Sequence, residues 1–312
     1  MKEISAKIIA DSISPQGVRL TTFEIEYPRF ILAELNTHRM LSKNTASSRA
    51  IPVSNMLEMV RSDPAHPFFW AKNQPGMQAK EEVENWDAFG QGKYQWFGAA
   101  YDASTRAATM MKQGYHKAIT NRLLEPFQWC KTVITGTEWN NFFYLRNHEA
   151  AQPEFQILAQ KMYEAREQSS PHYMQPGEWH LPYYRCGWWT DGIGLAESLE
   201  DARMISVSCC AQVSYRKQDD SLEKAKKIYE MLNVGNVDAP CHASPLEHQA
   251  TPMQNTIITG NGDCTGWKNY PPVPETWEDG ITSYNKNSQF MSGNLSGWIQ
   301  YRQLIPNNYK AG

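Results

Sequence analysis

Between residues 18 and 52 the chain changes its hydrophobic period once, and that change limits the folds open to it. In VRLTTFEIEY, residues 18–27, Phe23, Ile25 and Tyr27 alternate onto one face, the period of a half-buried strand. Pro28 stops the alternation. From there Ile31, Leu35 and His38 recur at spacings of four and three, which predicts a helix carrying a histidine on its apolar face. The helix leads into SKNTASSR, whose side chains compete for backbone hydrogen bonds and predict a loop closed by Pro52. A strand feeding directly into a helix calls for an α+β fold, a sheet flanked by helices.

Further along, residues 62–100 are rich in Trp, Phe, Gln, Gly and Pro and predict an irregular surface excursion. A long helix is expected from Tyr101 to Leu124, ending before Pro126. Two helices are expected on either side of a break near His148, with Pro153 in the first turn of the later one and Gln152 and Glu154 pinning its start. Residues 168–200 carry turn punctuation and are expected to be a connection. ISVSCCAQVSY alternates Ile205, Val207, Cys209, Ala211 and Val213, predicting a strand. In DSLEKAKKIYEML, Asp220 lies three residues before Glu223, a capping-box start for a helix whose apolar face is Leu222, Ala225, Ile228, Tyr229 and Leu232.

Composition excludes several classes. The 312 residues carry a net charge of only -3, and no run of five like charges occurs, so a nucleic-acid polymer is not an expected partner. No stretch of eighteen apolar residues exists, and Glu3 and Asp11 interrupt the start, so no membrane span or secretory leader is expected and the location is read as cytoplasmic. Six cysteines are scattered without a C-x-x-C pair and read as reduced thiols. Cys209, Cys210, Cys241, His242 and His248 allow a zinc-structured, non-catalytic alternative, though without the usual short ligand spacing; no metal site is expected.

Arg39 and Arg49 bracket a loop holding Ser42, Asn44, Thr45, Ser47 and Ser48. Guanidinium, hydroxyl and backbone N–H donors together can make a phosphate grip, but taken alone the stretch reads first as a helix end tied down by its own side chains. His38, Arg122 and Arg146, each taken alone, have equally plain readings as helix-surface or packed residues.

Taken together, three blocks are more specific. THRMLSKNTAS resembles the [R/T]-H-R-x7-S signature of the flavin-dependent thymidylate synthases and continues through Arg49. TNRLLEPFQW with NNFFYLRNHEAAQPEF resembles the same family's arginine before proline, F-x-L-R and A-Q-x-E. AQVSY followed by a helix and HASPLEH resembles its V-S segment and H-x-[ST]-P-x-E-H turn. The third block precedes the others in that family, so the resemblance implies a circular permutation of the thymidylate synthase-complementing fold, with His248 ending close to Arg19. It implies one catalytic domain over 1–312: a nucleotide- and flavin-binding motif segment at 1–167, the connection at 168–200, a permuted flavin-binding segment at 201–260, and a tail at 261–312 packing on the core.

By that resemblance, a one-carbon unit passes from methylenetetrahydrofolate to C5 of a pyrimidine deoxynucleoside monophosphate, dUMP giving dTMP, with FAD and NADPH, in a homotetramer whose sites lie between subunits. Thr37, His38, Arg39, Asn44, Asn141, Ser214, His242, Ser244 and Glu247 would contact flavin or lie beside it. Glu34, Thr45, Ser47, Ser48, Arg49, Arg122 and Arg146 would surround the nucleotide, with Arg146 catalytic at the pyrimidine edge. Thr37, Thr45 and Glu34 depart from the family's commoner arginine, glutamate and glutamine. Accordingly dCMP as acceptor, or hydroxymethyl in place of methyl transfer, remain open alternatives.

Overall fold

The computed structural model describes residues 2–76, 78, 81–84, 86–190, 198–214, 218–254 and 277–309. Parts of the expected connection, of the permuted segment and of the tail, with Cys264, lie outside the described residues. β1 (Ser5–Ile13) and β2 (Arg19–Pro28) form a hairpin. Gly17 at φ +78° makes its turn, a backbone conformation that glycine adopts at little cost. β3 (Ser42–Thr45), β4 (Trp129–Gly136) and β5 (His172–Tyr173) complete a sheet in the order β3-β4-β2-β1-β5, antiparallel except where β5 joins β1.

The two faces of this sheet are chemically different. Phe23, Ile25 and Tyr27 of β2, as the alternation predicts, are fully buried, and they share a core with side chains of α5 (Trp139–Arg146) and α6 (Pro153–Glu167), among them Trp139, Phe142, Phe155 and Leu158. The opposite face presents Thr22, Val133 and Thr135. It meets His180 of β6 (Trp179–His180), His248, and the buried cluster Val133, Cys210 and Val213. β6 also pairs with β7 (Trp188–Trp189) and β8 (Ala250–Pro252), and β8 with β12 (Trp298–Gln300). A second small sheet holds β9 (Ser283–Tyr284), β10 (Phe290–Ser292) and β11 (Leu295–Ser296).

Several expectations need correction. Ile205 to Cys210 belong to α7 (Leu199–Ala211), a helix started by Ser198 accepting from the Asp201 backbone N–H at 3.1 Å. The alternation was deceptive because every residue from Ile205 to Cys210 is buried, so no polar face marks the helical period. Ser206 tolerates the interior by donating to the Pro182 carbonyl at 2.7 Å.

The predicted loop at 42–45 is β3, held by β4 on one edge. The irregular excursion ends early: α3 (Trp86–Lys112) occupies much of it, packing against α2 (Val53–Ser62) through Ala100 and Ala107. The helix expected to reach Leu124 ends at Lys112, and Gly114, at φ +84°, turns the chain; α4 (Lys117–Thr120) and a 3-10 segment (Asn121–Phe127) containing Pro126 follow. Helix α8 (Leu222–Met231) is capped by Ser221, which accepts from Lys224 N at 3.3 Å, so the expected Asp220 capping box does not form. Within the expected connection, Trp179, His180, Leu181, Tyr184 and Trp189 are buried. Pro153 does open α6, and α5 and α6 do flank the break at His148. Glu154 ties that start to the 64–68 segment, accepting from Phe68 N at 2.8 Å and Gln152 Nε2 at 3.1 Å.

Candidate active site

After β2 the chain makes a 3-10 turn (Arg29–Ile31) and α1 (Leu32–Leu35), then a tight turn through His38 to Leu41. Ile31 and Leu35 are buried, which seats the turn against α5 and α6. Lys43 closes it by donating Nζ to the carbonyls of His38 and Leu41. Gly136 leaves room for the turn, since a Cβ there would lie 2.5 Å from Leu41 Cδ2.

His38 and Arg146 meet at this point. Arg146 Nε donates to His38 Nε2 at 2.8 Å, its NH1 group is ion-paired with Glu34, and its guanidinium lies 4.9 Å from the Phe155 ring centre. Burial first, then the Arg146 and Lys43 cations, pulls His38 down to about 4. The imidazole is therefore neutral near pH 7, with its proton on Nδ1, and acts as an acceptor that aims the guanidinium. Burial also lowers Lys43, to about 8, with Glu247 opposing the shift.

Arg146 and His38 line a cavity of about 690 Å³ with Thr37, Arg39, Asn141 and Lys286. Its size suits a small-molecule or cofactor site. Glu138, Asn285, Asn287 and Met291 also border it, and neither they nor Lys286 were singled out by sequence; the NKNS stretch at 285–288 reads there only as a polar turn. Arg39, Arg146 and Lys286 with amide and hydroxyl donors form a set chemically suited to anionic and carbonyl oxygens.

The third block docks beside this turn through β3. Asn44 Nδ2 donates to the Cys210 carbonyl at 2.6 Å, and Ser244 Oγ to Asn44 Oδ1 at 3.2 Å. Ser47 N donates to Ser214 Oγ at 2.9 Å. Glu247 is ion-paired with Arg302, and Gln300 Nε2 donates to the Glu247 carbonyl at 3.1 Å, so the last described strand and turn brace the HASPLEH turn. Asn44→Ala is expected to cost about 1–3 kcal/mol, because the Cys210 carbonyl loses its donor in a part-buried place and the exposed Ser244 hydroxyl loses its acceptor; urea unfolding checks it.

The remaining predicted residues are dispersed differently. Thr45 is turned into a hydroxyl chain with Thr132 (2.9 Å) and, beyond it, Tyr27. Ser48 is buried and donates to Glu125 at 2.6 Å; Arg122 and Arg29 reach the same carboxylate oxygen at 3.0 and 3.4 Å. Arg49 and His242 are exposed, and neither lines the 690 Å³ cavity. Cys209, Cys210, Cys241, His242 and His248 form no metal-holding group: among the described residues no cluster of three His, Cys, Asp or Glu does so.

The chain is an α+β protein whose sheet carries, on its helical side, a cavity lined by a neutral histidine and a paired arginine. A profile of the thymidylate synthase complementing protein family matches residues 13–172, just over half of the chain, and the chain belongs to that family. Among solved structures, the UMP/dUMP methylase PolB from Streptomyces cacaoi bound with 5-Br UMP is similar at 16% identity, TM-score 0.46, over 54% of this chain and 90% of that one. Thymidylate synthase X from Helicobacter pylori with FAD and dUMP is similar at 17% identity, TM-score 0.34, over 47% and 67%. No curated protein sequence matches the chain. Among the described residues no helix is long and apolar enough to cross a membrane.

Proposed function

We propose that this protein transfers a one-carbon unit to C5 of a pyrimidine deoxynucleoside monophosphate, dUMP being the acceptor implied by the motif resemblance. The observation that carries the reading is Arg146, aimed by His38 and Glu34 at the wall of a cavity shared with Thr37, Arg39 and Asn141. A fixed guanidinium at the pyrimidine edge stabilises charge on the ring and drives electron density to C5. No thiol nucleophile is required, in keeping with Cys209 and Cys210, whose thiols burial raises.

When bound, FAD recharged by NADPH supplies the hydride that turns the methylene of methylenetetrahydrofolate into methyl, as the carbon leaves folate nitrogen for C5 and the C5 hydrogen departs as a proton. Thr37, His38, Arg39 and Asn141 would hold the flavin, with Ser214, Ser244, Glu247 and His242 on the approach from the third block. Ser47, Ser48, Arg49 and Arg122 would hold the nucleotide phosphate. Ser48 and Arg122 already share one anionic partner, Glu125, which a phosphate dianion would have to replace.

Because Arg49 does not line the Arg146 cavity, a second copy of the chain completing the site fits the homotetramer that the resemblance implies. Ala250, just beyond His248, shares a buried cluster with Leu20 of β2, which supports the permuted order that the resemblance implies. FAD titration into purified protein tests the reading. Saturable binding with quenched flavin fluorescence, weakened about tenfold or more by Arg39→Ala, is expected; failure to bind flavin would refute it.

A further inference from the structure

Resting on that reading, we propose that Glu34 makes the site select a 4-aminopyrimidine, a cytosine nucleotide, over a 4-oxopyrimidine. Arg146 is not a free cation. Its Nε is committed to His38, one NH1 hydrogen to Glu34, and its face to Phe155, while both charged side chains keep a partial exposure, 20% for Arg146 and 29% for Glu34. What the pair offers a base is therefore a donor beside an anionic acceptor, with no net charge.

Uracil reaches a nucleophilic C5 by giving up the N3 proton and carrying negative charge around N3 and O4. Beside Glu34 that charge is repelled by the carboxylate, offsetting what Arg146 contributes. Neutral uracil can still meet the pair, with N3–H on Glu34, but a carboxylate is a much weaker base than the N3 anion, so the proton stays on the ring. Turning O4 toward Glu34 instead opposes two acceptors.

Cytosine needs no deprotonation, because its N4 lone pair already conjugates to C5. Its edge carries an N4–H donor beside the N3 and O2 acceptors. Glu34 takes the N4–H, the pairing carboxylates make with cytosine, and the free N–H groups of Arg146 take N3 and O2. The carboxylate thereby becomes a selecting group that a glutamine at position 34 would not be, since an amide can rotate to donate to O4.

The test is calorimetric titration of dCMP and dUMP into the wild-type protein and Glu34→Gln, with mass analysis of each nucleotide after incubation with reduced flavin and methylenetetrahydrofolate. Wild type is expected to bind dCMP at least about 30-fold tighter than dUMP and to add mass to dCMP, and Glu34→Gln to move the ratio toward dUMP by about 100-fold, the scale of leaving one buried polar group without its partner. If wild type prefers dUMP and Glu34→Gln leaves the ratio unmoved, the selectivity proposal is overturned while the proposed function stands. If neither nucleotide binds wild type, the function itself falls. Should Glu34→Gln prove unfolded by circular dichroism, the wild-type ratio alone decides.

Discussion

Arg146→Lys is expected to lower turnover by about 10³-fold while the protein stays folded. The reason is geometric rather than electrostatic in the bulk sense, since lysine keeps the charge. Arginine at this position uses three features at once: Nε on His38, NH1 on Glu34, and a planar face over Phe155. An ammonium can satisfy one of these partners well, and it has neither the fork nor the flat face. Removing one aimed donor from a charge-stabilising site costs about 10²–10³ in rate, and lysine loses both aim and fork. Arg146 sits at the last turn of α5 with its side chain partly exposed, so the core beneath it, Trp139, Phe142 and Phe155, is untouched. Steady-state kinetics with circular dichroism checks the claim: kcat should collapse with an unchanged spectrum and a nucleotide KM within about tenfold of wild type.

The second large effect concerns acid. A buried chain crosses the sheet from Ser12 Oγ to His180 Nδ1, His180 Nε2 to Thr22, Thr22 to Thr135, and Thr135 to His248 Nδ1, every link 2.7–2.8 Å. It ties β1, β2, β4, β6 and the HASPLEH turn together on the polar face of the sheet. Both imidazoles are fully buried, and burial pulls each down to about 3. Their folded values lie below the ordinary 6.5, so below that pH the unfolded chain binds more protons than the native one. The stabilising contribution is complete above pH 6.5 and is lost as pH falls toward 3. For two such histidines the loss by pH 5 is about 4 kcal/mol. Urea unfolding followed at pH 7.5 and pH 5.0 should show that drop, and a pH-independent midpoint would contradict the assignment of two neutral buried imidazoles.

How far the sequence disclosed these features depended on whether a residue's environment leaves a local trace. Phe23, Ile25 and Tyr27 were legible because β2 has one apolar face and one polar face, and alternation records that difference. Helix α7 was not, because packing on every side erases the period, and its serines and cysteines imitate a strand's alternation. β3 was hidden by composition: Lys43 and Asn44 are poor strand formers and Ser42 favours turns, so only the β4 edge makes the segment a strand.

The site shows the same division. His38 and Arg146 could be named from short motifs more than a hundred residues apart, but nothing local states that one accepts a hydrogen bond from the other. The Asn44–Ser244 and Ser47–Ser214 contacts join the blocks whose shuffled order suggested a permutation, and they depend on tertiary approach across 200 and 167 residues. Lys286 and Glu138 gave no signal at all, since each enters the cavity wall through the packing of its neighbours.

In the proposed reaction Arg146 acts on a pyrimidine ring whose C5 receives the new carbon. Incubation of the flavin-loaded, reduced protein with ¹³C-methylene-labelled tetrahydrofolate and a mixture of dCMP and dUMP, followed by carbon NMR of the recovered nucleotides, reads that bond directly. An enriched carbon attached to C5 of one pyrimidine, absent with Arg146→Lys, is the predicted result. Nucleotides recovered without label at C5, from protein that demonstrably holds flavin, would contradict it.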